Sequence, residues 1–224
     1  MRPMVHYARR FCFFIILCLV AACLVAQVHA AGSSVERTGA FSAPEASSDL
    51  KKAIEDRGYR VALDDGWRAE FWFASPLATA IKESAGALYP ELTNGEFVGV
   101  VSFPKGSSDY RGQAIPAGAY TLRYQYLPQD ANHMGVSPNP DFLLAVPLAA
   151  DPDPAAVLPF KKLVSLSAKT TGTAHPAVIA MAPSGTSGVA AKDDQGMTVF
   201  TVEIPAASGM TEKLGIVLKG QATQ

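Results

Sequence analysis

The sequence predicts a mainly β fold, an antiparallel β-sandwich of the jelly-roll or immunoglobulin-like type with one or two short helices. Three observations carry that expectation. Two stretches, WRAEFWF (residues 67–73) and YTLRYQY (residues 120–126), alternate with period two. Further short apolar runs follow one another, separated by turn signals. Only residues 159–172, PFKKLVSLSAKTTG, look convincingly helical.

Before the fold begins, the first thirty residues read as an export signal. Arg2, Arg9 and Arg10 form a positive start without any acid, residues 11–26 form an apolar core, and QVHA ends on the small residues that flank a cleavage site. The apolar run is 16 residues long, short of the roughly 20 that a spanning helix needs. The segment is therefore read as cleaved, with no membrane span in the mature chain. A second processing route competes with this one, because VAAC (residues 20–23) resembles a lipobox that would leave Cys23 lipid-anchored. Cys12, Cys18 and Cys23 are the only cysteines and all lie in this segment. The exported chain would hold no disulfide and would depend on core burial. Periplasm or extracellular space is the expected location.

Nineteen basic residues less the three of the signal leave 16 against 20 acidic ones, a net charge of −4 for the remaining chain. That charge argues against nucleic acid as a partner. The remainder, 194 of the 224 residues, suits one domain. Residues 31–48 are rich in Ser, Ala, Gly and Glu and read as a flexible lead-in, leaving residues 49–224 as a single β-sandwich domain.

Taken in order, DLKKAIEDR (residues 49–57) reads as a short helix with Ser48 as cap and Gly58 as stop. YRVAL (59–63) is a first strand. In WRAEFWF, Trp67, Ala69, Phe71 and Phe73 share one face and Arg68, Glu70 and Trp72 the other. FVGVVSF (97–103) is the third. In YTLRYQY, Tyr120, Leu122, Tyr124 and Tyr126 form an apolar face, and Thr121, Arg123 and Gln125 an opposite face expected to be wet. FLLAV (142–146) does not alternate, which suits a strand covered on both sides. AVIAM (177–181), MTVFTVEI (197–204) and KLGIVLK (213–219) complete the set. In IPAG, Pro116 pre-sets a turn that Gly118 ends.

Candidate chemistry is sparse. After the signal only His133 and His175 remain as histidines; Asp130 and Asp141 flank His133, and Met134 follows it. Imidazole, thioether and carboxylate together are ligand types for copper or zinc, but the two histidines lack the pairing at two or four residues that marks a metal site. The alternative is a polar loop that delivers the chain into FLLAV. His175, before Pro176, reads as a corner between helix and strand. DPDP (151–154) lacks the spaced oxygen ligands of a calcium loop, and SGTSG (184–188) lacks the strand–serine–helix setting of a hydrolase elbow. Trp72, on the polar face of its strand, either stacks on a ligand or lies beneath the 159–172 helix. Candidate ligand-binding residues are thus His133, Asp130, His175 and Trp72, with cofactor and metal undetermined.

The block from residue 109 to 147 (DYRGQ, IPAG, YTLRY, NHMGVSP, DFLL) resembles a family of uncharacterised exported bacterial proteins of acidobacterial type. IPAGAYTL is also similar to the DUF2911-type domains, in which a Pro-Ala-Gly turn enters a strand of a β-sandwich. The resemblance implies export and sandwich architecture, and no activity. No nucleophile–base–orienter set is visible, so the expected role is non-catalytic binding of an unknown small ligand or envelope protein. The alternative is metal handling by His133 and His175.

Overall fold

The structure, a computed structural model, describes residues 33–80, 86–127 and 137–219. The described elements run β1 (Ser34–Arg37), α1 (Ser48–Lys52), β2 (Tyr59–Ala62), β3 (Arg68–Phe73), β4 (Phe97–Phe103), β5 (Ser107–Ser108), β6 (Ala114–Ile115), β7 (Gly118–Tyr126) and β8 (Asp141–Pro147). A 3-10 turn (Leu148–Ala150), α2 (Phe160–Thr171), β9 (Ala177–Ala182), β10 (Val189–Lys192), β11 (Thr198–Pro205) and β12 (Thr211–Lys219) follow. The fold is mainly β and antiparallel, as the alternation predicts.

Ten strands form one continuous sheet in the order β1-β2-β3-β4-β7-β8-β9-β12-β11-β10, and β5 with β6 makes a separate small hairpin. The sheet curls on itself until its halves face each other. Phe200 of β11 packs 5.6 Å from Phe71 of β3 and 5.5 Å from Tyr59 of β2, measured between ring centroids. Strands far apart in the sheet order thus meet across one core. The two outermost strands, β1 and β10, also approach, and the Ser33 hydroxyl donates to the Ala190 carbonyl.

Two expectations at the start of the domain need correction. Residues 34–37, within the supposed lead-in, form β1 and pair with β2 from Ser34–Ala62 to Arg37–Tyr59. The first helix stops at Lys52, and its cap is Ser47, whose hydroxyl accepts the Leu50 N–H at 3.1 Å. Bridge pairing of Ile54 with Ala74 takes over beyond it, so sheet contacts end the helix early.

β7 and β8 show how burial is arranged at the centre. Tyr120, Leu122 and Tyr124 enter the main core as the alternation predicts. The opposite face is not wet: Thr121, Arg123 and Gln125 are all buried. They are covered because the chain after β8 returns over them. A strap of residues 151–158 crosses β7, and α2 lies over β8 and β9, burying Leu163, Ser167 and Thr170. β8 is accordingly buried on both sides, with Leu143 and Ala145 in the main core and Phe142, Leu144 and Val146 under α2. Pro159 starts α2 and Gly172, in the left-handed region at φ 66°, stops it.

Candidate functional site

β9 is the strand on which the site depends. Along β8 it pairs normally, from Phe142–Ala180 to Ala145–Ala177. Against β12 it pairs only at Gly215–Ala182 and Ile216–Met181. The same register would next set Val217 opposite Ala180 and Leu218 opposite Ile179, but there the strands part. A groove of about 480 Å³ occupies the parting. That volume lies in the range of small-molecule sites.

Side chains brace both ends of this seam. At the paired end, the buried Tyr89 hydroxyl donates to the Ala182 carbonyl at 2.5 Å and accepts the Gly215 N–H at 2.7 Å. Tyr89 is itself fixed by Asp141, whose carboxylate accepts the N–H groups of Leu88 (2.8 Å) and Tyr89 (3.1 Å) and the hydroxyl of Tyr124 (2.6 Å). Burial pushes the Tyr89 phenol up to about 12, against a weaker opposing effect of the Gly215 N–H. The Tyr124 phenol is raised as well, by burial first and by its bond to the Asp141 carboxylate second. Both act as neutral donors at ordinary pH.

At the open end the tip of the β5–β6 hairpin docks on β9. This tip is DYRGQ. One Asp109 oxygen accepts the backbone N–H groups of Arg111 (3.0 Å) and Gln113 (2.8 Å). The other accepts the Gln113 side-chain amide (2.6 Å) and the Val178 N–H (3.4 Å). The Tyr110 N–H donates to the Val178 carbonyl at 3.0 Å. This short polar motif is therefore an architectural clamp.

The groove between these braces is lined by Trp67, Phe71 and Phe103 from the core side and by Ile179, Ala180, Val217 and Leu218 from the parted strands. Ser107, Ser108 and Tyr110 line its hairpin side. The Trp67 indole N–H donates to the Ser107 hydroxyl at 3.0 Å, which fixes the ring. No Lys, Arg or His is among the lining residues, and the one carboxylate, Asp109, is already satisfied by four donors. The chemistry on offer is apolar contact, hydroxyl groups and strand backbone.

Of the candidate residues singled out from sequence, His175 and Trp72 are described, and neither lines the groove. Asp130, His133 and Met134 fall outside the described residues, and so does the separation of His133 from His175. His175 is exposed and borders a smaller apolar recess of about 180 Å³ with Arg111, Phe160 and Val164. Trp72 belongs to the main buried apolar cluster and is not on a polar face, and it lies under a different neighbour from the one expected. Its indole N–H donates to the Gly39 carbonyl at 2.9 Å, and Phe41 packs 4.9 Å from its ring, so the N-terminal segment covers it rather than α2. Asp141, which flanks His133 in sequence, is committed to Tyr124 and the 88–89 backbone. Asp151 of DPDP is committed to Arg123, and SGTSG is held by Thr201 through bonds from the N–H groups of Gly185 and Gly188. Among the described residues no group of three His, Cys, Asp or Glu side chains converges on a metal position.

The groove residues escaped the sequence reading because they come from five separate stretches that only the curled sheet unites. Trp67 was the one visible signal, as an aromatic at the start of its strand. No family model, curated protein or solved structure matches the chain. Among the described residues no helix is long and apolar enough to cross a membrane.

Proposed function

We propose that this is an exported, non-catalytic binding protein, working in the periplasm or outside the cell, and that the groove between β9 and β12 is its ligand site. The parting of β9 from β12 is the observation that carries the reading. A buried strand ladder is normally completed, because unpaired backbone polar groups are costly. Here the ladder halts after two pairs, with the Tyr89 hydroxyl bridging Ala182 and Gly215 at the paired end and the hairpin tip docked on Val178 of β9 at the other. Export rests on the arginine-led apolar N-terminus and its VHA ending.

The test uses Nile red, an uncharged apolar fluorophore. Saturable one-to-one binding is expected, with loss of the signal in Ser108→Trp, which places a large ring at the exposed groove mouth. Unchanged circular dichroism would show that the variant is folded. Equal binding by wild type and variant, or unsaturable partitioning, would overturn the assignment.

A further inference from the structure

We infer that the smaller recess beside His175, a site separate from the β9–β12 groove, binds a small monocarboxylate with an apolar body the size of a single ring. Its floor comes from the outer side of the sheet. Phe142 and Leu144, two residues apart on β8, share one face, and Leu144 pairs with Val178 of β9. Leu127, just beyond β7, and Val164 of α2 line it as well. Phe160 stands one turn before Val164 on α2 and is 40% exposed, so a large ring borders the recess uncovered. The recess holds about 180 Å³. That is enough for one ring, since an apolar cavity of about 150 Å³ takes benzene.

Charge recognition comes from the rim, where Arg111 and His175 both border the recess. The loops that carry them are tied together. Gln113, two residues beyond Arg111, donates to the Pro176 carbonyl at 3.2 Å and accepts the Thr173 hydroxyl at 3.0 Å. Thr173 in turn accepts the His175 N–H at 3.0 Å. The Arg111 Nε is shielded from solvent without a hydrogen-bond partner, and no ion pair among the described residues involves its guanidinium. Asp109, two residues earlier, offers it nothing, because four donors already fill that carboxylate. A shielded donor without an acceptor is costly, and a ligand oxygen would remove that cost. Arg123 shows the fitting partner: its Nε and Nη2 take the two oxygens of one carboxylate. At Arg111 a carboxylate would do the same while its apolar body covered Phe160 and the floor. Inorganic anions would leave that apolar surface bare.

Benzoate is the probe, titrated calorimetrically into the full chain beside benzamide, which keeps the ring and loses the charge, and acetate, which does the reverse. Saturable one-to-one binding of benzoate is expected, with each of the other two weaker by about tenfold. Arg111→Gln should weaken benzoate by about tenfold with unchanged circular dichroism. Phe160→Ala, at an exposed position, should weaken it too. Ser108→Trp, at the mouth of the larger groove, should leave benzoate binding intact. Equal benzoate affinity in wild type and Arg111→Gln, benzamide or acetate as tight as benzoate, or loss of binding in Ser108→Trp would overturn the assignment. So would absence of benzoate binding up to about 10 mM. Acetyl-Ala-Ala-Phe, which carries its carboxylate on a chain end, should bind no better than benzoate. Tighter binding would give the recess to a protein C-terminus and defeat the small-ligand reading.

Discussion

Arg123 and Asp151 form a two-pronged ion pair in the interior, with Nε to Oδ2 at 2.8 Å and Nη2 to Oδ1 at 2.7 Å. The other guanidinium hydrogens go to the carbonyls of Gly95, Asp153 and Ala156, so all five donors are used. Thr121 adds a hydroxyl bond to Asp151 Oδ2 at 2.5 Å. The pair ties the 151–158 strap across β7. Asp151→Ala should therefore cost about 3–5 kcal/mol by leaving a buried, uncompensated cation. Arg123→Met should be comparable, because three carbonyls lose their donor. The double variant Arg123→Met/Asp151→Ala should lose less than the sum. Urea unfolding checks this; additive losses would show that the two residues do not act as a pair.

Gly95 should be irreplaceable where Gly112 is not. Both have left-handed backbones, at φ +86° and +83°, which cost a residue with a Cβ roughly 1–2 kcal/mol. At Gly112 a Cβ meets nothing within 4 Å, whereas at Gly95 it collides with the Leu158 carbonyl on the strap. Gly95→Ala is expected to lower stability well beyond Gly112→Ala. Equal thermal midpoints for the two variants would contradict the strap's close contact with the turn at Gly95.

Alkali should loosen the molecule in a defined window. Tyr89 and Tyr124 have phenols raised above the ordinary value of 10.0. Because the folded value exceeds the unfolded one, the unfolded chain loses its proton first, and stability falls as pH rises. The contribution is complete below pH 10 and is lost as pH climbs through the Tyr89 value of about 12. Tyr89→Phe should be less stable at neutral pH and shallower in its decline above pH 10. A wild-type denaturation midpoint that stays flat from pH 9 to 12 would refute this.

Truncation of β8 should cost on both of its faces. Leu143→Ala and Leu144→Ala each empty a fully buried position, one in the main core and one under α2, and each should cost about 2–5 kcal/mol. His133→Ala is expected to leave metal content unchanged. Elemental analysis of wild type and variant decides the latter, and stoichiometric copper or zinc lost only in the variant would establish the metal reading.

Processing is expected to leave Ala31 as the first residue. Intact mass spectrometry of exported material reads this directly. An acylated N-terminal Cys23 would overturn that expectation in favour of lipid anchoring.

How far the fold was legible follows from what periodicity can encode. Tyr120, Leu122 and Tyr124 announce a core face, and the unbroken FLLAV announces a strand covered twice; both are found. Alternation could not say what covers Arg123, because a charged residue facing water and one facing a carboxylate 28 positions later look alike in a local window. Strands β1 and β10 were missed for a related reason. SVER and VAAK sit at the sheet's ends with most residues exposed, so burial imposes little pattern on them. The groove left even less trace, since its walls are ordinary apolar strand residues and its character lies in pairing that stops.

The contact between Ser33 and Ala190 joins positions 157 apart in the chain. Joining ends so distant carries a loop-closure entropy that neighbouring hairpins such as β7–β8 and β11–β12 avoid. The barrel-like wall therefore cannot shut until nearly all of the chain has emerged, and its last event is the meeting of two four-residue edges. Until then both edges are open templates for pairing with another molecule, so aggregation during refolding should peak before closure. Pulse-labelled hydrogen exchange would show it: β10 amides should gain protection after those of β7 and β8, and simultaneous protection would rule out late closure.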